Sequence, residues 1–270
     1  MGLMRPFLLC CLAVMASCAQ GPLKGPDVAQ LPQRDVPTVI ARTALGQDAT
    51  GVTIDSAGRR FVWIRGVGLH QVTPAGLVLT LSATTLGLSP PDFEDVAIID
   101  SNRLALIARN EGAVVGLSSG QLFNRFCYLP GDVQERDPSA WQISRAVAYD
   151  AQEDRLYVQP QTFTGFGTLT GSQLGMFDPA ISEPLEWQPL GESSFSAGGM
   201  AVVSRQRTYL GMGTRLLLYD ATARTFADWW DLFGIVTTVE GLAFDRQAGT
   251  LLVLDGPHQE LVELRLDGMQ

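Results

Sequence analysis

The hydrophobic positions of this chain fall in short runs that repeat along its length. Each repeat is an apolar strand, a polar turn and a second apolar strand, as at residues 51–55 and 60–64. Five equivalent positions anchor the repeats, namely Val52, Val96, Val147, Met200 and Leu242. They are separated by 44, 51, 53 and 42 residues. A four-stranded period of this size predicts an all-β protein, a β-propeller of five blades.

The longer repeats and the two ends of the repeat region refine this prediction. Insertions at 127–142 and 161–173 could hold extra strands, so six blades is the alternative. The last repeat lacks an outer strand, whereas 36–45 is a spare strand ahead of the first repeat. Pairing these two would close the ring and cover two open strand edges. Residues 227–233 are the one place where a short helix fits.

The N-terminus has the pattern of an export signal. Arg5 precedes an apolar run at 7–16, which is shorter than the roughly 20 residues that span a bilayer, and 1–17 therefore reads as a signal peptide. The sequence Met-Ala-Ser-Cys at 15–18 resembles the lipobox of bacterial lipoproteins. This resemblance implies that Cys18 carries fatty acyl chains such as palmitate. A plain cleaved signal peptide is the alternative.

The resemblance also implies a location and a layout. Ala19, in place of Asp, favours the outer membrane facing the periplasm by the rule for enteric lipoproteins. Residues 18–35 are rich in Pro, Gly and Gln and predict a flexible tether, and 36–270 then form a single propeller domain. Cys127 is the only cysteine beyond Cys18, and we expect it to be a buried apolar side chain.

The charge of the chain limits its partners. The formal net charge is −9, so an acidic surface disfavours nucleic-acid binding. It also gives no attraction to anionic lipid, so we expect the membrane to be reached through the lipid anchor. The remaining partner is another envelope protein or a small ligand.

The repeat assigns polar residues to the two faces of the ring. The face where the inner strands begin, here the entry face, receives carboxylates and amides from several blades. Oxygen donors of this kind suit Ca²⁺, and the predicted ligands are Glu94, Glu240, Asn110 and Asp255. The alternative is that the glutamates form solvated ion pairs with Arg109 and Arg145. The opposite face, here the turn face, receives four aspartates that we expect to shape tight turns and point to solvent, namely Asp55, Asp100, Asp150 and Asp245.

Other side chains of interest have less support. His258 lies beside Asp255, and a carboxylate can orient a histidine for general-base catalysis. Trp229 and Trp230 resemble a docking patch, with packing in an outer strand as the alternative. Arg109 and Arg145 are the charged candidates for contact with a partner.

Two phrases of the chain resemble a known group of propellers. The sequences Asp-Phe-Glu-Asp-Val-Ala at 92–97 and Glu-Gly-Leu-Ala-Phe-Asp at 240–245 are similar to those of the SdiA-regulated, esterase-like and phytase-like propellers. This resemblance implies a secreted bacterial propeller, often metal-binding and sometimes a hydrolase. The gluconolactonase family has a similar blade start, whose glutamate binds metal, and this would carry over to Glu240 and less surely to Glu94.

Two classes of function are compatible with these patterns. One is a non-catalytic envelope lipoprotein whose propeller face binds a protein or a small ligand. The other is a metal-dependent hydrolase of a lactone or a phosphoester that uses the same face. The sequence favours the binding protein, because only Asp255 and His258 approach a cluster of catalytic groups.

Overall fold

The computed structural model describes residues 27–86, 93–108, 111–127, 141–163, 169–191 and 197–266. Within these residues, twenty strands form five antiparallel four-stranded sheets, which confirms the five-bladed propeller. The second insertion lengthens the strands of the third blade instead of adding a sixth, and 128–140 of the first insertion lie outside the described residues.

Each blade runs from an inner strand at the axis to an outer strand at the rim. Blade 1 contains β2 (Ala49–Ile54), β3 (Arg60–Ile64), β4 (Gly68–Thr73) and β5 (Gly76–Ser82). Blade 2 contains β6 (Asp95–Ile98), β7 (Arg103–Ile107), β8 (Glu111–Gly116) and β9 (Leu122–Cys127). Blade 3 contains β10 (Trp141–Asp150), β11 (Arg155–Phe163), β12 (Leu169–Phe177) and β13 (Pro184–Gly191).

Blade 4 contains β14 (Gly199–Ser204), β15 (Arg207–Met212), β16 (Arg215–Asp220) and β17 (Thr225–Asp231). Blade 5 contains β18 (Val239–Asp245), β19 (Thr250–Asp255) and β20 (Glu260–Arg265), and its outer strand is β1 (Thr38–Ala44). Short 3-10 helices cover Val28–Gln30 and Ala83–Leu86.

The ring closes as predicted. β1 pairs antiparallel with β20, with Thr38 opposite Arg265 and Ala44 opposite Glu260. Arg42 strengthens the joint because it forms an ion pair of 2.9 Å with Glu260 and donates a hydrogen bond to the carbonyl of Ile235. The segment at 36–45 therefore supplies the strand that the last repeat lacks.

The structure corrects the prediction of a flexible tether for residues 27–35. This segment lies against the outer strand of blade 4, where Trp229 exchanges backbone hydrogen bonds with Pro32 and Arg34. Arg34 also forms a 2.8 Å ion pair with Asp228, and Val28 packs into the core between blades 3 and 4. Backbone hydrogen bonds to an open strand edge are available to almost any sequence, so composition alone did not reveal this contact.

Residues 227–233 form no helix, because most of this stretch belongs to β17. Its buried positions alternate, with Asp228 and Trp230 on the inner side and Ala227 and Trp229 on the other. This period of two is that of a strand. The same alternation places Phe126 in the core and leaves neighbouring Cys127 exposed at the end of β9, contrary to the expectation of a buried cysteine.

The hydrophobic core lies in the seams between blades. In the described residues, five buried clusters each combine side chains of two neighbouring blades; Val62 of blade 1, for example, packs with Leu252 of blade 5. Inner strands are therefore buried on both faces, as the continuous apolar runs at the anchor positions require. In the part of the chain described, no helix has the length and hydrophobicity to cross a bilayer.

Candidate functional site

The candidate site is a cavity of about 200 Å³ on the propeller axis at the entry face. Each blade contributes the residue two positions before its anchor. These five residues, which we call the entry ring, are Thr50, Glu94, Arg145, Gly198 and Glu240. Arg65, Gly213, Thr238 and Val239 complete the lining.

β-bulges set three positions of the entry ring. In blade 1 the register passes from Ala49 to Gly51 and leaves Thr50 as the extra residue. In blade 5 it passes from Val239 to Gly241 and leaves out Glu240 in the same way. The shift in blade 3 lies between Ser144 and Val147 and includes Arg145. Bulges re-aim side chains and are frequent beside functional sites.

Three residues of the entry ring are charged. Glu94 has an ion-pair partner, whereas Glu240 and Arg145 have none among the described residues. Arg65 contacts Glu94 at 2.7 Å. Glu240 and Arg145 form no ion pair with any described residue, although the charge of Arg145 acts on Glu240. Burial raises the pKa of Glu240, with the negative charge of Asp48 acting in the same direction and Arg145 opposing it. Glu240 therefore holds its proton at a higher pH than an ordinary glutamate.

A tight turn supports Glu240 from behind. Any side chain at Gly256 would overlap the Glu240 carboxyl group, so this glycine makes the room that the carboxyl occupies. Asp255, fully buried, accepts hydrogen bonds from the backbone N–H groups of Thr237 (3.0 Å) and Thr238 (3.3 Å). The turn is thereby joined to the loop that leads into β18.

His258 lies on the same turn and is held by Asp255. The Asp255 carboxylate is 2.8 Å from Nδ1 of His258, and the Thr237 hydroxyl is 3.1 Å from the same nitrogen. The imidazole is largely exposed. The structure therefore brings together the two residues that the sequence analysis selected as a histidine and its orienting carboxylate.

Behind the entry ring, the next residue of each inner strand forms a second layer that does not line the cavity. It consists of Gly51, Asp95, Ala146, Gly199 and Gly241. Side chains at Gly51 and Gly199 would overlap Asp95 and Gly241, so the inner strands meet closely here. Asp95 is fully buried, and burial raises its pKa well above the usual range, opposed by nearby backbone N–H groups.

A second cavity of about 280 Å³ opens on the turn face and is lined mainly by apolar residues of the inner strands. The four turn aspartates act as predicted, because each accepts a backbone N–H two residues further on, from Ala57, Asn102, Gln152 and Gln247. Asp150 and Asp245 do not point to solvent as expected. They are buried and lie near Arg246 and Arg60. The side chain of Asp55 is almost as little exposed and forms an ion pair with Arg59, so it does not point to solvent either.

The predicted metal ligands are distributed as follows. Glu94 and Glu240 both line the cavity, Asp255 lies behind Glu240 with its oxygens already hydrogen-bonded, and Asn110 is outside the described residues. Among the residues described, no three His, Cys, Asp or Glu side chains are grouped so that they could hold a metal ion. The calcium site stays a prediction, to be tested by adding Ca²⁺ and following the melting temperature.

Of the remaining predicted residues, only Arg145 among those described lines the cavity. Trp230 is buried against Tyr209, so packing is its role, and Trp229 lies under the N-terminal segment and the guanidinium of Arg215. Arg145 belongs to the entry ring, whereas Arg109 and Cys18 lie outside the described residues.

Sequence reasoning missed Thr50, Gly198 and Gly256. A signal for the first two was present, since both stand two positions before an anchor, as Glu94, Arg145 and Glu240 do. Neither Thr50, in a strand, nor Gly198, just before a strand, belongs to a sequence motif that indicates a binding site. Gly256 has meaning only through its contact with Glu240, which no sequence spacing reveals.

Comparisons with known proteins bear on the fold. No protein-family model matches the chain, and no curated protein matches it by sequence. Among solved structures, a glutaminyl cyclase from Myxococcus xanthus is similar with a TM-score of 0.61 and 17% identity, covering 88% of this chain and 99% of its own. A hydrazine synthase from Kuenenia stuttgartiensis is similar with a TM-score of 0.54 and 12% identity, covering 81% of this chain and 72% of its own. At these identities the likeness concerns the fold alone.

Proposed function

We propose that this protein is a binding protein whose entry-face cavity holds a small polar molecule. The observation that carries the proposal is the arrangement of Arg145 and Glu240, which line one cavity without an ion pair to any described residue. Charged groups in a concave site are matched by complementary groups of a ligand. The cavity volume of about 200 Å³ lies below that of sites for drug-sized ligands, so the ligand is small.

Calorimetric titration with a panel of small charged metabolites tests this function. We expect at least one compound to bind, and the variants Glu240→Gln and Arg145→Gln to weaken it by about tenfold or more, since each loses a charged partner. Glu183→Gln and Arg265→Gln are matched controls, because both side chains are exposed and lie outside the cavity lining. Binding that is unchanged in the first two variants would place the site elsewhere.

We further propose that the propeller is attached to the periplasmic side of the bacterial outer membrane through acyl chains on Cys18. The lipobox-like sequence supports this, as does the resemblance of two phrases to the SdiA-regulated propellers. Because Val28 packs between blades 3 and 4, nine residues connect Cys18 to the folded body. Fully extended, they reach roughly 30 Å. The folded body would thus stay near the membrane.

A second candidate is an enzyme that transfers protons at the same cavity. The raised pKa of Glu240 favours it, since a glutamate that holds its proton more tightly than usual is better suited to act as a general acid. The Asp255–His258 pair on the supporting turn is the matching base. The similarity in fold to a glutaminyl cyclase makes an N-terminal glutaminyl peptide the first substrate to try.

Ammonia release from such a peptide separates the two candidates, because cyclisation of a glutaminyl group by its own amine expels its amide nitrogen as ammonia. An enzyme would release ammonia in a reaction that Glu240→Gln abolishes and Glu183→Gln does not. The metal-dependent hydrolase is tested in parallel with a lactone and a phosphoester in the presence of Ca²⁺. A ligand that binds and is recovered unchanged supports the binding protein.

A further inference from the structure

The charges of the entry ring are divided between its two sides. Because the blades follow each other in chain order, Thr50 of blade 1 stands between Glu240 of blade 5 and Glu94 of blade 2. Arg145 and Gly198 of blades 3 and 4 occupy the other side. Glu94 is already neutralised by Arg65. The groups left for a ligand are therefore Glu240 on one side and Arg145 on the other.

Thr50 provides an independent sign of a ligand. Its side chain is only 7% exposed, and its hydroxyl has no hydrogen-bond partner among the described residues. Buried hydroxyl groups in folded proteins are nearly always hydrogen-bonded, because leaving one unpaired is costly. Since Thr50 lines the cavity, rotation of its side chain would present the hydroxyl to a polar atom of a ligand placed there.

We propose that the cavity binds a small zwitterion of the α-amino acid type, with its ammonium group towards Glu240 and Thr50 and its carboxylate towards Arg145. This inference rests on the proposed function and names the ligand class. An ammonium group has three N–H donors, which the two Glu240 oxygens and the Thr50 hydroxyl match. A guanidinium group binds a carboxylate through two parallel hydrogen bonds.

Two features of the site suit this ligand. Gly198 brings no side chain to the ring, and one could not be accommodated there because its Cβ would overlap the carbonyl of Val239. Burial raises the pKa of Glu240, and an ammonium ion would favour its charged form.

The test compares three sets of compounds by calorimetry on the folded protein: the common L-α-amino acids, their α-amides, which lack the carboxylate, and their N-acetyl derivatives, which lack the ammonium group. We expect at least one amino acid to bind about tenfold or more tighter than both of its derivatives. Glu240→Gln should weaken the binding of that amino acid and leave the binding of its N-acetyl derivative unchanged. Arg145→Gln should weaken the binding of the amino acid and leave the binding of its α-amide unchanged. Thr50→Val replaces the hydroxyl with a methyl group at nearly the same shape, and it should weaken the binding of the amino acid several-fold.

Each contrary result has a distinct meaning. If an α-amide binds as tightly as its amino acid, the carboxylate is not recognised and the zwitterion proposal is overturned. If an N-acetyl derivative binds as tightly as its amino acid, the ammonium group is not recognised and the proposal is also overturned. The proposed function survives both results. Binding of another charged metabolite with no amino acid bound also overturns this inference alone. If neither the three sets nor the metabolite panel binds, the proposed function fails as well.

Discussion

The carboxyl group of Asp95 accepts a hydrogen bond of 2.9 Å from the backbone N–H of Val147 and so joins blade 2 to blade 3. Its other oxygen has no partner among the described residues and lies against Gly51 of blade 1. A single buried acid thus meets three inner strands directly below the entry ring. We therefore expect the stability of the propeller to depend on pH.

Asp95→Asn tests this sensitivity. Since burial raises the pKa of Asp95, the folded state favours the neutral acid. The stability that this form provides is complete below the ordinary pKa of about 3.9 and is lost as the pH rises through the folded-state pKa. The free energy of unfolding, measured by denaturant titration from acid to neutral pH, should therefore shift steadily in favour of the variant. The exposed Asp35→Asn is the control, and parallel pH profiles would contradict the prediction.

Gly256→Ala should act on the site more than on the fold. The added methyl group overlaps the end of the Glu240 side chain, which can move away, so the melting temperature should change little. Ligand affinity should fall about as far as in Glu240→Gln, because the carboxyl group leaves its place. Gly171→Ala is the control, since a Cβ there meets nothing within 4 Å. Full affinity in Gly256→Ala would mean that the position of Glu240 is unimportant.

Truncation from the N-terminus should lower stability in two steps. A chain that starts at Val36 loses the Arg34–Asp228 pair and the burial of Val28. The lost burial alone costs about 2 kcal/mol and lowers the melting temperature by a few degrees. A chain that starts at Gly46 loses β1 and exposes the edge of β20, so it should aggregate. Thermal melts and light scattering distinguish the two. A soluble second truncation with an unchanged melting temperature would refute the role of β1.

Cys18→Ser tests the membrane anchor. The variant has no thiol to acylate, so we expect it to leave the membrane fraction or to stop before maturation, and to take up no labelled fatty acid. Cys127→Ser is the matched control, because it removes a thiol in the folded domain. Lipidation would be excluded if Cys18→Ser were still found in the membrane fraction and the wild-type protein took up no labelled fatty acid.

The ring of five blades could be predicted from the sequence because equivalent apolar residues recur at regular intervals along the chain. Val52 and Leu242 occupy the same place in two blades, and the spare segment before the first repeat matched the strand missing from the last. Glu94, Arg145 and Glu240 were found because charged residues at equivalent positions are visible. The burial of Asp95 could not be predicted, since it depends on the close approach of β2 at Gly51 and on the backbone N–H of Val147 in blade 3.

The pairing of β1 with β20 has a consequence for how the molecule forms. The first strand of the ring to be synthesised is hydrogen-bonded to the last, and more than two hundred residues separate the two. Closing so long a loop is slow, and strands left waiting are prone to associate with other chains. We therefore expect the chain to remain an open crescent until β20 can pair with β1, and to depend on chaperones for that interval.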